Sequence, residues 1–198
     1  VTTMTTERDA APEGLPRPVF ESLLRTVEEM AAPDGFRAEL IRGKIIVSTW
    51  PGPRSLRCLR VLRERIAAHA PQGHVVDAAP VLFRFPSPGR AYGPSLFSAD
   101  EAAFEADGRS ADGSALSLVA ESTSVSTRDA DWVEKLEVYG RLVPVYLVVD
   151  MQESEITCFS DPSPHGYRSR QTVPFGKPLT VAEPFGFEFD TAGFRSTS

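Results

Sequence analysis

Cysteine, histidine and lysine are scarce in this chain, and each scarcity narrows the chemistry open to it. The two cysteines, Cys58 and Cys158, lie far apart and show no CxxC spacing. Neither a zinc site nor a disulfide framework is therefore indicated. The three histidines, His69, His74 and His165, are scattered, which leaves a histidine-based metal cluster without support. Lys44, Lys135 and Lys177 are the only lysines, so each stands out against a basic complement that is otherwise arginine. No apolar run approaches the ~20 residues that a membrane span requires. The polar start, Val1 to Ala11, lacks the apolar stretch of a secretory signal, and a cytoplasmic protein is the expectation. No GxSxG elbow, P-loop or GxGxxG occurs. A basic surplus is missing too: the net charge of -6 argues against a dedicated nucleic-acid coat protein, though not against an enzyme that touches DNA locally.

What is present suits one domain with a real core, since 198 residues with 41% hydrophobic content are enough to bury one. The 17 prolines and 14 glycines point to many turns rather than long helices. Residues 1–15 read as a disordered lead and 196–198 as a tail, leaving a domain over 16–195. Phe20, Leu23, Leu24, Val27 and Met30 fall at helical spacing behind Pro18, and Pro33 with Gly35 ends that helix. Ala38 to Val47 reads as a hairpin folded at Arg42-Gly43. A second helix, from about Arg54 to Ala70, carries Leu59, Leu62 and Ile66 as its apolar stripe. Arg57, Arg60, Arg63 and Arg65 crowd its other side, either as a solvated face or as a track for phosphates.

HVVDAAPVLFRF reads as two strands split near Pro80, and AYGPSLFS as another. Asp100 to Ser114 is expected to be a loop with a helical turn. ALSLVAE, ending at Glu121, is a compact apolar strand; the hydroxyl-rich STSVST follows, then a helix from about Thr127 to Arg141 started by Ser126 and Asp129. PVYLVVD, Pro144 to Asp150, is the expected central strand. EITCFS, GYRSRQTV and PLTVAE form an antiparallel tail, whose exposed edges could pair between chains to give a homo-oligomer.

One stretch carries a candidate site. Glu121 closes an apolar strand, where open α/β sheets place ligands. Lys135 lies about two turns into the following helix and can lean back over that strand end. Glu121 could hold a hard cation such as Mg²⁺, with Lys135 polarising an attacking water. The plainer alternative is a solvated glutamate and a lysine paired with Asp131 one turn earlier.

The order of segments from Phe36 to about Phe194 resembles the Uma-two family, within the PD-(D/E)XK nuclease superfamily. AELIRGKIIVS is similar to its opening hairpin, PGPRSLRCLRVLRERI to its helix, APVLFRF and GPSLF to its next strands, ESTSVSTRDADWVEKLEVY to its Glu–Lys block, and PVYLVVD to the strand after it. The resemblance implies a restriction-endonuclease-like α/β fold: a mixed β-sheet flanked by helices, with an N-terminal helix and hairpin and an antiparallel C-terminal tail. It implies a Mg²⁺-dependent (or Mn²⁺-dependent) DNA phosphodiesterase in which Glu121 binds the metal and Lys135 assists the water. Glu39, Asp131 and Tyr139 match its supporting positions, and Arg57, Arg60 and Arg63 would meet DNA weakly and with salt sensitivity.

The departures are specific. Ser95 stands where the motif Asp is expected, so the carboxylate pair falls from formal charge -2 to -1, and Mg²⁺ wants charged oxygen ligands. Asp100 is no replacement: five residues along a strand it faces the other way, roughly 16 Å off at ~3.3 Å per residue. Ser55 or a neighbour takes the place of a family histidine, Arg42 and Lys44 occupy positions where acidic residues are favoured, and the stretch after Tyr139 is one residue shorter. Two functions are therefore expected to compete: a nuclease with a weakened site, and an inactive nuclease-fold module for nucleic-acid or protein interaction.

Overall fold

The structure, a computed structural model, describes residues 14–105, 107–123 and 130–195. Most of the expected N-terminal lead, the expected cap at Ser126 and Asp129, and the three C-terminal residues lie outside the described residues.

Helix α1 (Arg17–Glu29) has Pro18 in its first turn, where a missing N–H costs nothing, and buries Phe20, Leu24 and Val27. Strands β1 (Phe36–Ile41) and β2 (Lys44–Thr49) form the expected hairpin, with Ile41 opposite Lys44. Its two turn residues, Arg42 at φ 47° and Gly43 at φ 73°, are both left-handed, as a two-residue hairpin turn demands. Helix α2 (Pro53–Ala67) ends three residues before the expected Ala70 and buries Cys58, Leu59, Leu62 and Ile66.

The mixed α/β architecture that the resemblance implies is present, with its strands divided, among the described residues, between two principal sheets of mixed direction and a small ribbon. His74–Asp77 (β3) and Leu82–Phe85 (β4) separate at Pro80 as expected, but enter different sheets. AYGPSLFS is two strands rather than one: Arg90–Tyr92 (β5) and Leu96–Asp100 (β6) also divide between the sheets. The break falls at Gly93-Pro94, where proline supplies no N–H to a ladder and restricts the residue before it. Within the stretch expected as a loop, Ser110–Asp112 forms a further short strand, β7. Leu116–Thr123 (β8) and Val145–Asp150 (β9) are buried along their whole lengths and pair in parallel. A parallel pair needs a crossover, and residues 124–144 supply it. Its described part is a π-helical turn over Ala130–Lys135 followed by helix α3 (Leu136–Leu142).

The tail does not stand apart. Glu155–Ser160 (β10) and Ser169–Pro174 (β11) extend the sheet of β9, and Pro178–Val181 (β12) pairs with Phe187–Asp190 (β13), a strand not expected from the pattern. Among the described residues the strand orders are β2-β1-β5-β4-β7, β11-β10-β9-β8-β6-β3 and β12-β13.

Three cores explain the layering. Helix α1 covers the outer face of the five-stranded sheet through Phe20, Leu24 and Val27 against Leu40 and Ala91. The inner face of that sheet, with Ile41, Phe83, Phe85 and Tyr92, packs on the six-stranded sheet through Phe97, Val119, Tyr146 and Val148, joined by Val138 and Tyr139 of α3. The other face of the six-stranded sheet carries Leu118, Ala120, Leu147 and Val149 and is covered by α2 and the β12-β13 ribbon. Each buried aliphatic side chain contributes roughly 1.5–3 kcal/mol. Strand alternation thus assigns every position of β1 and β8 either to an outer layer or to the seam between the sheets.

Gly140 shows how closely α3 is seated. A Cβ there would lie 3.0 Å from Gly166 Cα and from the Tyr167 nitrogen. Gly140→Ala should therefore push α3 off its neighbour and cost about 1–3 kcal/mol in a urea unfolding experiment, despite alanine's better helix propensity. An unchanged or higher midpoint would mean that the contact yields freely.

Candidate functional site

The seam between the two sheets holds a set of charged side chains. Ser95 directly precedes β6, whose next residue, Leu96, pairs with Ala120 of β8. Ser95 therefore faces Glu121, and because Leu96 and Ala120 turn toward α2, both of these residues turn toward the five-stranded sheet. From that sheet β1 presents Arg37 and Glu39 on the same face as Ile41. The π-helical turn delivers Asp131 and Lys135. These wider turns recur at functional sites.

The contacts are dense. Lys135 Nζ lies 2.7 Å from Glu121 Oε1, 3.0 Å from Glu39 Oε1 and 3.4 Å from Asp131 Oδ1. Glu121 Oε2 accepts from the Ser95 hydroxyl at 2.7 Å, from the Ser95 main-chain N–H at 3.2 Å and from Arg37 Nη2 at 3.4 Å. Arg37 Nε lies 3.7 Å from Glu39 Oε2, and its Nη1 donates to the Gly93 carbonyl. The Gly93 N–H donates to Glu39 Oε1 at 2.9 Å, so the residue at the strand break holds both β1 side chains. The guanidinium also lies 5.2 Å from the centroid of the Trp50 ring.

Burial is nearly complete: Glu121 and Lys135 are 0% exposed, Asp131 1%, and Arg37 7%. Arg37 and Gly93 reach a cavity of about 200 Å³ that is also lined by Met30, Phe36, Trp50 and Arg109. Tyr139 belongs to the wall rather than the charge set: it is fully buried, with ring centroids 5.5 Å from Tyr92 and 5.0 Å from Tyr146.

Burial disfavours charge, and the partners decide where it survives. For Glu121 the burial penalty is outweighed by Lys135, Arg37 and the hydrogen bonds from Lys135 and Ser95, which hold its carboxyl below the usual range. Burial likewise works against the Lys135 ammonium, but Glu121, Glu39 and Asp131 keep it protonated. Asp131 is the reverse case. Burial pushes it up from its ordinary 3.8 to about 7, Lys135 opposing and Glu121 and Glu39 reinforcing. Among the described residues neither of its carboxyl oxygens has a hydrogen-bond partner, the Lys135 ammonium at 3.4 Å being an ion-pair contact.

Does this set suit a divalent metal? Both Glu121 oxygens are engaged by donors, two of them cationic, and the Ser95 hydroxyl donates to Glu121. Mg²⁺ asks for near-octahedral oxygen ligands at about 2.0–2.1 Å, carboxylates among them. Among the described residues, no group of three or more His, Cys, Asp or Glu side chains is set out to hold a metal ion. As arranged, the residues do not fit one.

The structure places Ser95, Glu121, Lys135, Glu39 and Asp131, which the family resemblance singles out, within one cluster. The sequence pattern missed Arg37 and Gly93. Arg37 lies two residues before Glu39 on the same strand, so alternation alone puts the two on one face. The arginines of α2 do not join the site. Arg57, Arg60 and Arg63 are exposed, but α2 covers the opposite face of the six-stranded sheet from the one that bears Glu121. Arg63 Nε also lies 3.7 Å from Asp77. Asp100 accepts from the Ala102 N–H at 3.0 Å, away from the cluster.

Asp131 yields a pH test. With its folded value near 7 and its unfolded value near 3.8, the folded state holds the extra proton between those limits. Stability through this group therefore falls as pH rises from about 4 through 7. Asp131→Asn should remove that slope. Relative to the native chain the variant should gain about 1–3 kcal/mol between pH 5 and pH 8, read from thermal unfolding. A difference that stays flat or moves the other way would show that Asp131 is ionised throughout.

The family model for Uma2, described as "Putative restriction endonuclease", matches residues 24–192. Among solved structures, the chain is similar to a nuclease of DUF820 from Anabaena variabilis ATCC 29413, itself described as "putative". That match has a TM-score of 0.66 at 11% identity and covers 88% of this chain and 96% of that one. Curated proteins give no match. No helix among the described residues is long and apolar enough to cross a membrane. With the family model spanning most of its length and a nuclease fold beneath it, the chain belongs to the Uma2 family of restriction-endonuclease-like proteins.

Proposed function

We propose that this chain is a metal-dependent DNA phosphodiesterase by descent whose nuclease centre is weakened or lost, because Ser95 stands where the motif carboxylate is needed. The hydrogen bond from Ser95 Oγ to Glu121 at 2.7 Å carries this reading. A carboxylate in that place would add a second negative charge and share a cation with Glu121. The hydroxyl gives Glu121 a proton donor instead, and a cation loses half of its charged ligand pair. In this reading Glu121 and Lys135 are the remaining pair of the ancestral centre. Glu39 and Asp131 steady the ammonium, and Tyr139 closes the wall. Mg²⁺ or Mn²⁺ binding is correspondingly weak or absent.

A second reading, an inactive nuclease-fold module that contacts nucleic acid or protein, draws on the α2 surface. Its exposed Arg57, Arg60 and Arg63 lie on the side of the sheet away from the charge cluster, so contact there needs no cleavage. Edge strand β11, exposed along most of its length, would be the place for self-association if the chain forms a homo-oligomer.

Two measurements follow. In supercoiled-plasmid nicking with Mg²⁺ or Mn²⁺, the native chain should cut poorly or not at all. Ser95→Asp should tighten metal binding and raise any cutting, and Glu121→Ala on that background should abolish the gain. Robust cleavage by the native chain, lost in Glu121→Ala, would overturn the reading. Separately, DNA affinity should be weak and fall steeply with salt. Replacing Arg57, Arg60 and Arg63 by Ala should flatten the log–log salt slope by about 2–3, since each lost phosphate contact removes about 0.9. An unchanged slope would reduce these arginines to a solvated face.

A further inference from the structure

Three features of Arg37 are not explained by ordinary core packing. Its side chain is buried in the charged cluster of a seam that is otherwise lined by aliphatic and aromatic residues. It is held from several sides: the Gly93 carbonyl accepts from Nη1, Glu39 Oε2 lies 3.7 Å from Nε, and Trp50 stacks on the guanidinium at 5.2 Å. Its remaining terminal nitrogen points at Glu121 Oε2, 3.4 Å away, the same oxygen that accepts from Ser95 at 2.7 Å. A cation shared between Glu121 and a carboxylate at position 95 would use that oxygen.

We infer that Arg37 is the resident cation of this centre: its guanidinium takes the place, beside Glu121, of the divalent metal that the nuclease arrangement would hold. The inference rests on the reading of the centre as a weakened nuclease site and adds a residue to the cause. Ser95 lowers the attraction for a metal, and Arg37 fills the position with a charge that is already covalently attached. Glu39 and Glu121 then face Lys135 and Arg37, with Asp131 as a further carboxyl group beside Lys135. An incoming divalent cation would have to displace a guanidinium that stays protonated at any working pH and is anchored at the strand break by Gly93. Like charges a few Å apart repel strongly where water is excluded, so the two cations compete for the same place.

The test uses the full chain with Mn²⁺ alone as the probe, read by titration calorimetry and by thermal shift. The native protein should show no Mn²⁺-dependent rise in melting temperature. Arg37→Met, or Arg37→Gln should the first variant fold poorly, should be destabilised without metal. Each should bind Mn²⁺ at least about tenfold more tightly than the native chain and regain melting temperature with it, since a like charge has left the site. Arg37→Lys, which keeps the charge, should stay as indifferent to Mn²⁺ as the native chain. Native-level Mn²⁺ affinity in both neutral variants, or tight binding by the native chain that Arg37→Met weakens, would overturn the inference. Neither readout involves cleavage. A gain of nicking in Ser95→Asp with no Mn²⁺ gain in the Arg37 variants would sink the role of Arg37 while leaving the Ser95 reading intact.

Discussion

The carboxylate of Glu121, buried at the seam of two sheets and neutralised by Lys135 and Arg37, is the constraint around which this molecule is built. An ionised carboxylate away from water costs several kcal/mol even after relaxation, so it must be met on every side. Its partners come from separate parts of the chain: Arg37 from the N-terminal hairpin, Ser95 from the break between β5 and β6, and Lys135 from the crossover helix. The requirement that these meet fixes how the two sheets sit on each other. A π-helical turn brings Asp131 and Lys135 to this centre. Removing one member of such a set leaves its partners charged and unpaired, which is far costlier than replacing the whole set by apolar residues.

On the reading proposed above, the same closure separates two properties that a working nuclease combines. Chemistry on a phosphodiester needs a cation and a reachable carboxylate. Here the carboxylate is enclosed, its oxygens taken by internal donors. The arginine face that could meet phosphates is carried by α2, across the six-stranded sheet. A protein arranged this way can keep the nuclease scaffold and an electrostatic surface while the centre serves as a buried brace between layers.

The sequence made the core of this arrangement legible because its signals are local and periodic. The hairpin at Arg42-Gly43, the stripe of α2, the strand through Glu121 (which runs on to Thr123 rather than ending at the glutamate) and the strand ending at Asp150 follow from turn chemistry and alternation. The pairing of Ser95 with Glu121 came from the ordered series of family-like segments. What stayed hidden depends on long-range placement. AYGPSLFS reads as one apolar strand, and nothing local says that its halves join different sheets. Ser110–Asp112 is too short to leave a pattern, and Phe187–Asp190 alternates clearly but had no visible partner. Arg37 was missed because an arginine beside a hairpin ordinarily reads as solvated. Its burial is decided by Gly93 and Trp50, remote in sequence from the Glu121 that it faces.

The most direct measurement is a crystal structure of the native chain grown with excess Mn²⁺, examined for anomalous scattering at the seam. The account predicts no manganese peak at coordination distance from Glu121, with the Arg37 guanidinium on Oε2 and the Ser95 hydroxyl in its hydrogen bond. A manganese ion bound to Glu121 with Arg37 swung aside would contradict it.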